Sequence, residues 1–437
     1  MSYKVETKSC RICGNTELAP ILSLGDQRLS GVFPVPDSPQ PSFSPLELIK
    51  CDNSQSFQKN CGLLQLKHSA SLEEMYGTTY GYYSSLSPTM VSHLKDIVGL
   101  LVKFVKPEPD DIALDIGCND GTLLNILQDQ KMFRVGIDPS SEKFSQNFQK
   151  DIKVIYEFFS ANKVKEVIGE RKCRIITSIA MFYDIDDPID FMRQIRSVLD
   201  KNGVWALELS YLPLMLTNLT YDQICHEHVT YLGLYQMKWM TERTGLKILD
   251  LRLNEVNGGS FFIIVGRDDG PFKQNEEKIM KTLQYEKPLC SIQPFMRFKN
   301  RVLSHRDEVR AFLKLAKEAN KKVYGYGAST KGNIVLNFCN IESDCLTAIC
   351  DANPEKFGLV TPGTSIPIIS KEDMRKANPD YLFILIWHFR REVLQSEYEY
   401  IMNGRKMVFD LPRLHIVDKN NHHRYLNTTF EELAYSL

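Results

Sequence analysis

The chain has 437 residues, 43% hydrophobic and 24% charged, a globular composition too long for one ordinary core. With 53 basic against 54 acidic residues there is no global field to favour nucleic acid or an anionic membrane. The start, MSYKVETKSC, lacks the apolar core of a signal peptide, and the longest apolar runs, such as YLFILIW (381–387), are too short to span a bilayer. Eleven cysteines, an odd number, argue against a closed disulfide framework, so a cytoplasmic protein with reduced thiols is expected.

Three compositional blocks predict a small module over residues 1–70, an α/β domain over 71–267 and a second α/β domain over 268–437. In the first block, Cys10 and Cys13 form a C-x-x-C knuckle (CRICG). Cys51 and Cys61 follow, the second again before a glycine, with DNSQSFQKN looping out between them. Thiolates at such spacing can converge tetrahedrally on Zn²⁺. Four cysteines leave no open position, so the metal would be structural. The alternative is four unrelated buried thiols.

DIALDIGCNDGTLLNIL (111–127) reads as a strand, a glycine-rich turn and an amphipathic helix, with Asp115, Gly117, Asn119 and Gly121 at the turn. A second strand, FRVGIDPS, carries Asp138 at its tip, where a carboxylate can accept both ribose hydroxyls of an adenosine. The loop is acidic and has no clean G-x-G-x-x-G. Dinucleotide enzymes seat a pyrophosphate there, whereas S-adenosylmethionine presents an ammonium and a sulfonium, which such a loop suits better. A third strand predicted over KVIYEFFS (153–160) places Glu157, Phe158 and Phe159 near an adenine, with Phe158 as the candidate ring contact.

YDQICHEHVTY (221–231) concentrates a cysteine, two histidines and a glutamate. His226 and His228 lack helical metal-ligand spacing, which disfavours a metal site, and an exposed polar loop remains possible on composition alone. Acid–base work fits best: an imidazole such as that of His228 ordinarily titrates near neutrality, and the adjacent Glu227 is a carboxylate able to orient it. Beyond a polar connector, KKVYGYGASTKGNIVL (321–336) is a second strand–loop–helix unit, with Ser329, Thr330 and Lys331 near the helix start. Backbone amides and a lysine there suit phosphate, against the alternative of a purely structural Rossmann-like unit.

The ordered set CGLLQL, YGYYSSLSPTMVSHL, LDIGCNDGTLL, YDQICHEHVTYLGL, NGGS and VYGYGASTKGN resembles the three-domain S-adenosylmethionine-dependent sugar C-methyltransferases, over about residues 8 to 415. The resemblance implies an α/β architecture: a zinc-binding module, a class I methyltransferase domain and a C-terminal Rossmann-like domain that assists nucleotide-sugar binding. It implies S-adenosylmethionine and structural Zn²⁺ as cofactors. It further implies an NDP-linked 4-keto-6-deoxyhexose as substrate, methylated at C-3, and a monomer or weak homo-oligomer. Deprotonation would fall to Glu227 and His228 assisted by Tyr82 or Tyr80, with Tyr80, Asn257, Ser329 and Lys331 on the substrate. Cys225 stands where the family often has tyrosine, Asp184 where histidine is common, and Asn257 replaces the first residue of HGGS. Alternatives are a methyltransferase of another small keto metabolite, an NAD(P)-binding oxidoreductase using the C-terminal glycine loop, and a non-catalytic zinc scaffold.

Overall fold

The computed structural model describes residues 5–53, 59–70, 75 and 83–435. In the first module, β1 (Val5–Glu6) pairs with β5 (His68–Ser69), while β2 (Leu18–Arg28), β3 (Phe43–Cys51) and β4 (Leu64–Leu66) form an antiparallel meander. The cysteine knuckle closes on Gly14, whose N–H donates to Cys10 O at 2.9 Å with φ +72°, a left-handed conformation natural to glycine.

The second module contains β6 (Ile112–Ile116), β7 (Phe133–Ile137), β8 (Lys153–Ile155), β9 (Cys173–Ile179), β10 (Leu199–Ser210), β11 (Thr230–Tyr231), β12 (Leu246–Asn254) and β13 (Ser260–Arg267). Its seven-stranded sheet runs β12-β13-β10-β9-β6-β7-β8, with β13 antiparallel to both its neighbours. Strand β6 is buried along its whole length because helices cover both faces of a parallel sheet. The covering helix Pro88–Val105 starts on Ser87, whose hydroxyl accepts from Met90 N at 3.3 Å. Met90, Leu94, Ile97, Val98, Leu101 and Val105 then form one buried stripe at helical spacing.

Two features depart from the expected organisation. Strand β11 leaves its own domain's sheet and pairs with β4, Thr230 opposite Gln65, so the segment after the CHEH run extends the zinc module. Helix Glu276–Glu286, beyond residue 267, packs back on the methyltransferase side. There Glu286 accepts from Tyr211 OH (2.8 Å), Leu234 N (2.7 Å) and Tyr235 N (2.9 Å).

Helix Gln293–Glu318 then leads to the third module, with β14 (Val323–Tyr326), β15 (Ile349–Asp351), β16 (Ile368–Ser370), β17 (Tyr381–Ile384), β18 (Lys406–Phe409) and β19 (His415–Val417). Its sheet runs β16-β15-β14-β17-β18-β19, parallel except for the last pair. A strand order that reverses beside β14 creates a crevice at the carboxyl ends of β14 and β17.

The hydrophobic cores do not stop at module boundaries. Leu22, Leu46 and Leu64 of the zinc module share one cluster with Tyr221, Ile224 and Cys225 and with the strands of the third sheet. Cys51, Cys61 and Leu63 share another with Leu234 and Met237. Each such fully buried side chain contributes roughly 1.5–3 kcal/mol, so the three modules support one another. Tyr221 adds a polar lock: its hydroxyl donates to His305 Nδ1 at 3.1 Å, and His305 Nε2–H donates to Asp410 O at 2.8 Å. Burial lowers His305 to about 4, which keeps it the neutral acceptor this chain requires. Among the described residues no helix is long and apolar enough to cross a membrane.

Candidate active site

The sulfur atoms of Cys10, Cys13, Cys51 and Cys61 all lie within 4.8 Å of one another, with Cys10–Cys61 at 3.4 Å and Cys13–Cys51 at 3.6 Å. The Asn15 side-chain amide donates to Cys51 Sγ at 3.5 Å, the kind of support a thiolate needs. Four converging sulfurs, three of them buried, fit a closed tetrahedral Zn²⁺ site.

The first glycine loop follows β6. Gly117 has φ +75° and donates to Ile137 O at 2.9 Å, so the chain turns across the tip of β7. Asp115 is buried under the loop and accepts from Thr177 Oγ1 at 2.6 Å, and burial raises its carboxyl to about 7. Asp138 organises the loop, accepting from Asn119 N (2.9 Å) on one oxygen and Ser140 N (2.7 Å) on the other. Each oxygen keeps a lone pair for a ribose hydroxyl. Gly121, at φ +78°, lies where an added Cβ would meet the Phe148 ring at 2.6 Å. The third strand stops at Ile155, short of the expected 160, leaving Tyr156–Phe159 as a loop. Phe159 packs on Phe191 with ring centroids 4.9 Å apart, whereas Phe158 is 50% exposed.

Tyr80 and Tyr82 lie outside the described residues. The segment that follows them crosses the glycine loop: Ser84 N donates to Asn119 Oδ1 (3.1 Å) and Ser85 N to Asp120 Oδ2 (2.9 Å).

The CHEH run lies where all three modules meet. His226 Nε2–H donates to Ser44 O at 3.1 Å, which spends this histidine on the zinc module. Glu227 is buried against Gly31, where an added Cβ would meet Glu227 Oε1 at 3.1 Å and Thr330 Oγ1 at 3.6 Å. The half-buried His228 ring is held by main chain: its Nδ1 is 2.9 Å from Gln223 O. A carbonyl only accepts, so Nδ1 carries the proton and Nε2 is the basic nitrogen. Glu227 was the expected orienting group, but the bond that fixes the ring comes from Gln223. Burial, with the Lys331 ammonium nearby, lowers His228 to about 3, so it is neutral across the physiological range. Tyr183 stacks obliquely on it with ring centroids 4.2 Å apart. Together with Ser210, Met215 and Tyr231 these two rings line a small cavity.

Two expected substrate residues, Asn257 and Lys331, meet each other next to Gln223. Asn257, at φ +56°, presents its carbonyl to Gln223 Nε2 (3.1 Å) and Lys331 Nζ (3.2 Å). Ser329 instead caps its own helix, accepting from Gly332 N at 3.0 Å. Gln223, Tyr183, Asp222 and Trp387 were not singled out in the sequence. Asp222 is buried, accepts from Trp387 Nε1 at 2.8 Å, and burial raises its carboxyl. Position alone could have flagged Trp387, which stands just past the carboxyl end of β17.

The sheet order and acid-tipped second strand define an S-adenosylmethionine-dependent methyltransferase domain, here fused to a Cys₄ module and a second Rossmann-like domain. Three family models match in that order: a zinc binding domain over residues 10–76, a methyltransferase domain over 91–251 and a C-methyltransferase C-terminal domain over 255–412. The chain is 25% identical over 417 residues to the C-methyltransferase NovU of Streptomyces niveus, covering 93% of this chain and 96% of that protein. Similar solved structures include an S-adenosylmethionine-dependent methyltransferase from Clostridium acetobutylicum (17% identity, TM-score 0.32, 41% of this chain and 92% of that one). Another is the 1,6-didemethyltoxoflavin-N1-methyltransferase of Burkholderia thailandensis (12%, TM-score 0.32, 41% and 80%). The three matched domains, in this order, make the chain a C-methyltransferase, with S-adenosylmethionine as methyl donor and zinc as structural metal.

Proposed function

We propose that the enzyme methylates the carbon beside the ketone of an NDP-linked 4-keto-6-deoxy sugar, at C-3, giving a branched-chain deoxysugar, and that it does so in the cytoplasm. The observation that carries this reading is the neutral His228, its Nδ1–H tied to Gln223 O and its Nε2 basic, at the junction of a methyltransferase domain with a second Rossmann-like sheet. Carbon is a nucleophile only after losing a proton, and a neighbouring ketone makes that proton removable by an imidazole. S-adenosylmethionine, when bound, supplies an activated methyl group.

The chain's own residues supply the rest. Asp138, with Asp115, Gly117, Asn119 and Gly121 shaping the loop, holds the adenosine ribose, and the exposed Phe158 ring covers the adenine. His228 takes the proton from the sugar carbon, with Tyr82 and Glu227 in support, while Tyr80 and Asn257 border the sugar. Ser329 and Lys331 place the third domain's glycine loop against the substrate. Burial of Asp222, Gln223 and Glu227 keeps water from the reacting carbon. The test is incubation with a panel of keto nucleotide sugars and methyl-labelled donor, locating the new methyl by NMR. Incorporation at C-3 of a 4-keto sugar is expected; label on oxygen, nitrogen or no sugar at all overturns the proposal.

A further inference from the structure

Lys331 was expected at a phosphate, at the start of helix Thr330–Phe338. Its ammonium instead turns into the cleft, donating to Asn257 O at 3.2 Å. Gln223 Nε2 donates to that same oxygen at 3.1 Å, and the Gln223 carbonyl takes the His228 Nδ1–H at 2.9 Å. Hydrogen bonds through two intervening residues therefore tie this cation to the base. Among the described residues, Asn257 O is the hydrogen-bond partner of one Lys331 N–H, leaving two to serve a ligand.

A cation beside a base opposes the base's protonation, which makes Lys331 a poor neighbour for His228 unless negative charge forms close by during reaction. Among the described residues, Asp222 is the carboxylate in electrostatic reach, with one buried oxygen bonded to Trp387 and the other without a partner. It balances the resting lysine. It leaves uncompensated the imidazolium that forms when His228 accepts a proton.

We infer that Lys331 holds the ketone oxygen of the substrate and stabilises the enolate formed when His228 removes the adjacent proton. The inference rests on the keto-sugar reading above. In the step, the C–H bond breaks and its proton goes to His228 Nε2. The bonding pair forms the enolate C=C, and the carbonyl pair moves to oxygen, where the ammonium receives it. On methylation the C=O reforms and the carbon gains CH₃ as the donor's sulfonium–methyl bond breaks, its pair going to sulfur to leave S-adenosylhomocysteine, and His228 passes its proton to solvent.

Enolisation can be read without methyl transfer, as exchange of the C–H beside the ketone into D₂O with S-adenosylhomocysteine bound. For Lys331→Met, exchange at saturating sugar and kcat should each fall about 10²–10³-fold. KM and S-adenosylhomocysteine affinity should stay within about threefold of the wild type. Lys331→Arg, which keeps the charge, should recover part of the exchange, and it carries the test if the Met variant does not fold. Exchange in Lys331→Met within about threefold of wild type, a defect confined to KM, or an Arg variant as inert as Met overturns the inference. If the wild type exchanges no keto nucleotide sugar, the keto-sugar reading fails and this inference with it, an outcome read before any variant is made.

Discussion

His228 owes its chemistry to two neighbours of different kinds. The Gln223 carbonyl selects the tautomer, and burial beside Lys331 keeps the ring neutral at about 3. His228→Asn, which removes the basic nitrogen, should lower kcat about 10²–10⁴-fold while leaving S-adenosylhomocysteine binding intact by calorimetry. The pH profile follows from the direction of the shift. A base must be deprotonated to act, so a lowered value moves the acid limb of kcat/KM below the ordinary 6.5 of imidazole. The rate should stay level from pH 8 to about pH 5. Burial is the larger cause of that depression and the Lys331 ammonium the charged one, while Asp222 and His388 act in turn on that lysine's surroundings. In Lys331→Met the limb should therefore move upward, and stopped assays across pH 5–8 measure both profiles.

At the scale of elements, the zinc knuckles, β4 and β11 form one mechanical unit. Strand β11 begins two residues after His228 and pairs with β4, while Gln236 Nε2 donates to Cys61 O at 2.9 Å. The metal site thus holds the sheet to which the CHEH run is attached. Cys61→Ser should release about one zinc per chain by elemental analysis and lower both the melting temperature and kcat, since structural zinc binding is worth on the order of 10 kcal/mol. Unchanged turnover in zinc-free protein would separate the module from the active site.

For the whole molecule, two Rossmann-like sheets raise the question of which one takes an adenosine cofactor. Asp138 presents both oxygens at the tip of β7, within the stretch that matches a methyltransferase domain, and we propose that the methyl donor binds there. The third sheet offers Asp351 in the matching place, but its oxygens accept from Ala328 N (2.7 Å) and Asn353 N (2.8 Å), and Lys356 Nζ stands 3.8 Å away. A lysine beside that carboxylate competes for the lone pairs a ribose would use. S-adenosylhomocysteine at 100 times its Kd should stabilise the protein by about 2.7 kcal/mol, seen as a raised melting temperature, and NAD should give no shift. A shift with NAD alone would favour the oxidoreductase alternative.

Local pattern alone determined much of this protein: the C-x-x-C knuckle, the acid-tipped strand after a glycine loop, and the alternation that builds two α/β sheets. These are short-range signals, because turn geometry, metal spacing and strand burial are set by residues close in sequence. Three things were decided only by the tertiary structure. A main-chain carbonyl, which carries no residue signature, orients His228. Phe159 rather than Phe158 enters the core, because the strand stops at Ile155 and the loop sets which ring turns inward. Lys331 meets the Asn257 carbonyl from 74 residues away, because helix Thr330–Phe338 packs under the zinc module, where Asn333 Nδ2 donates to Ser30 O at 2.7 Å. Contacts so distant along the chain follow from how the cores merge, which no local pattern records.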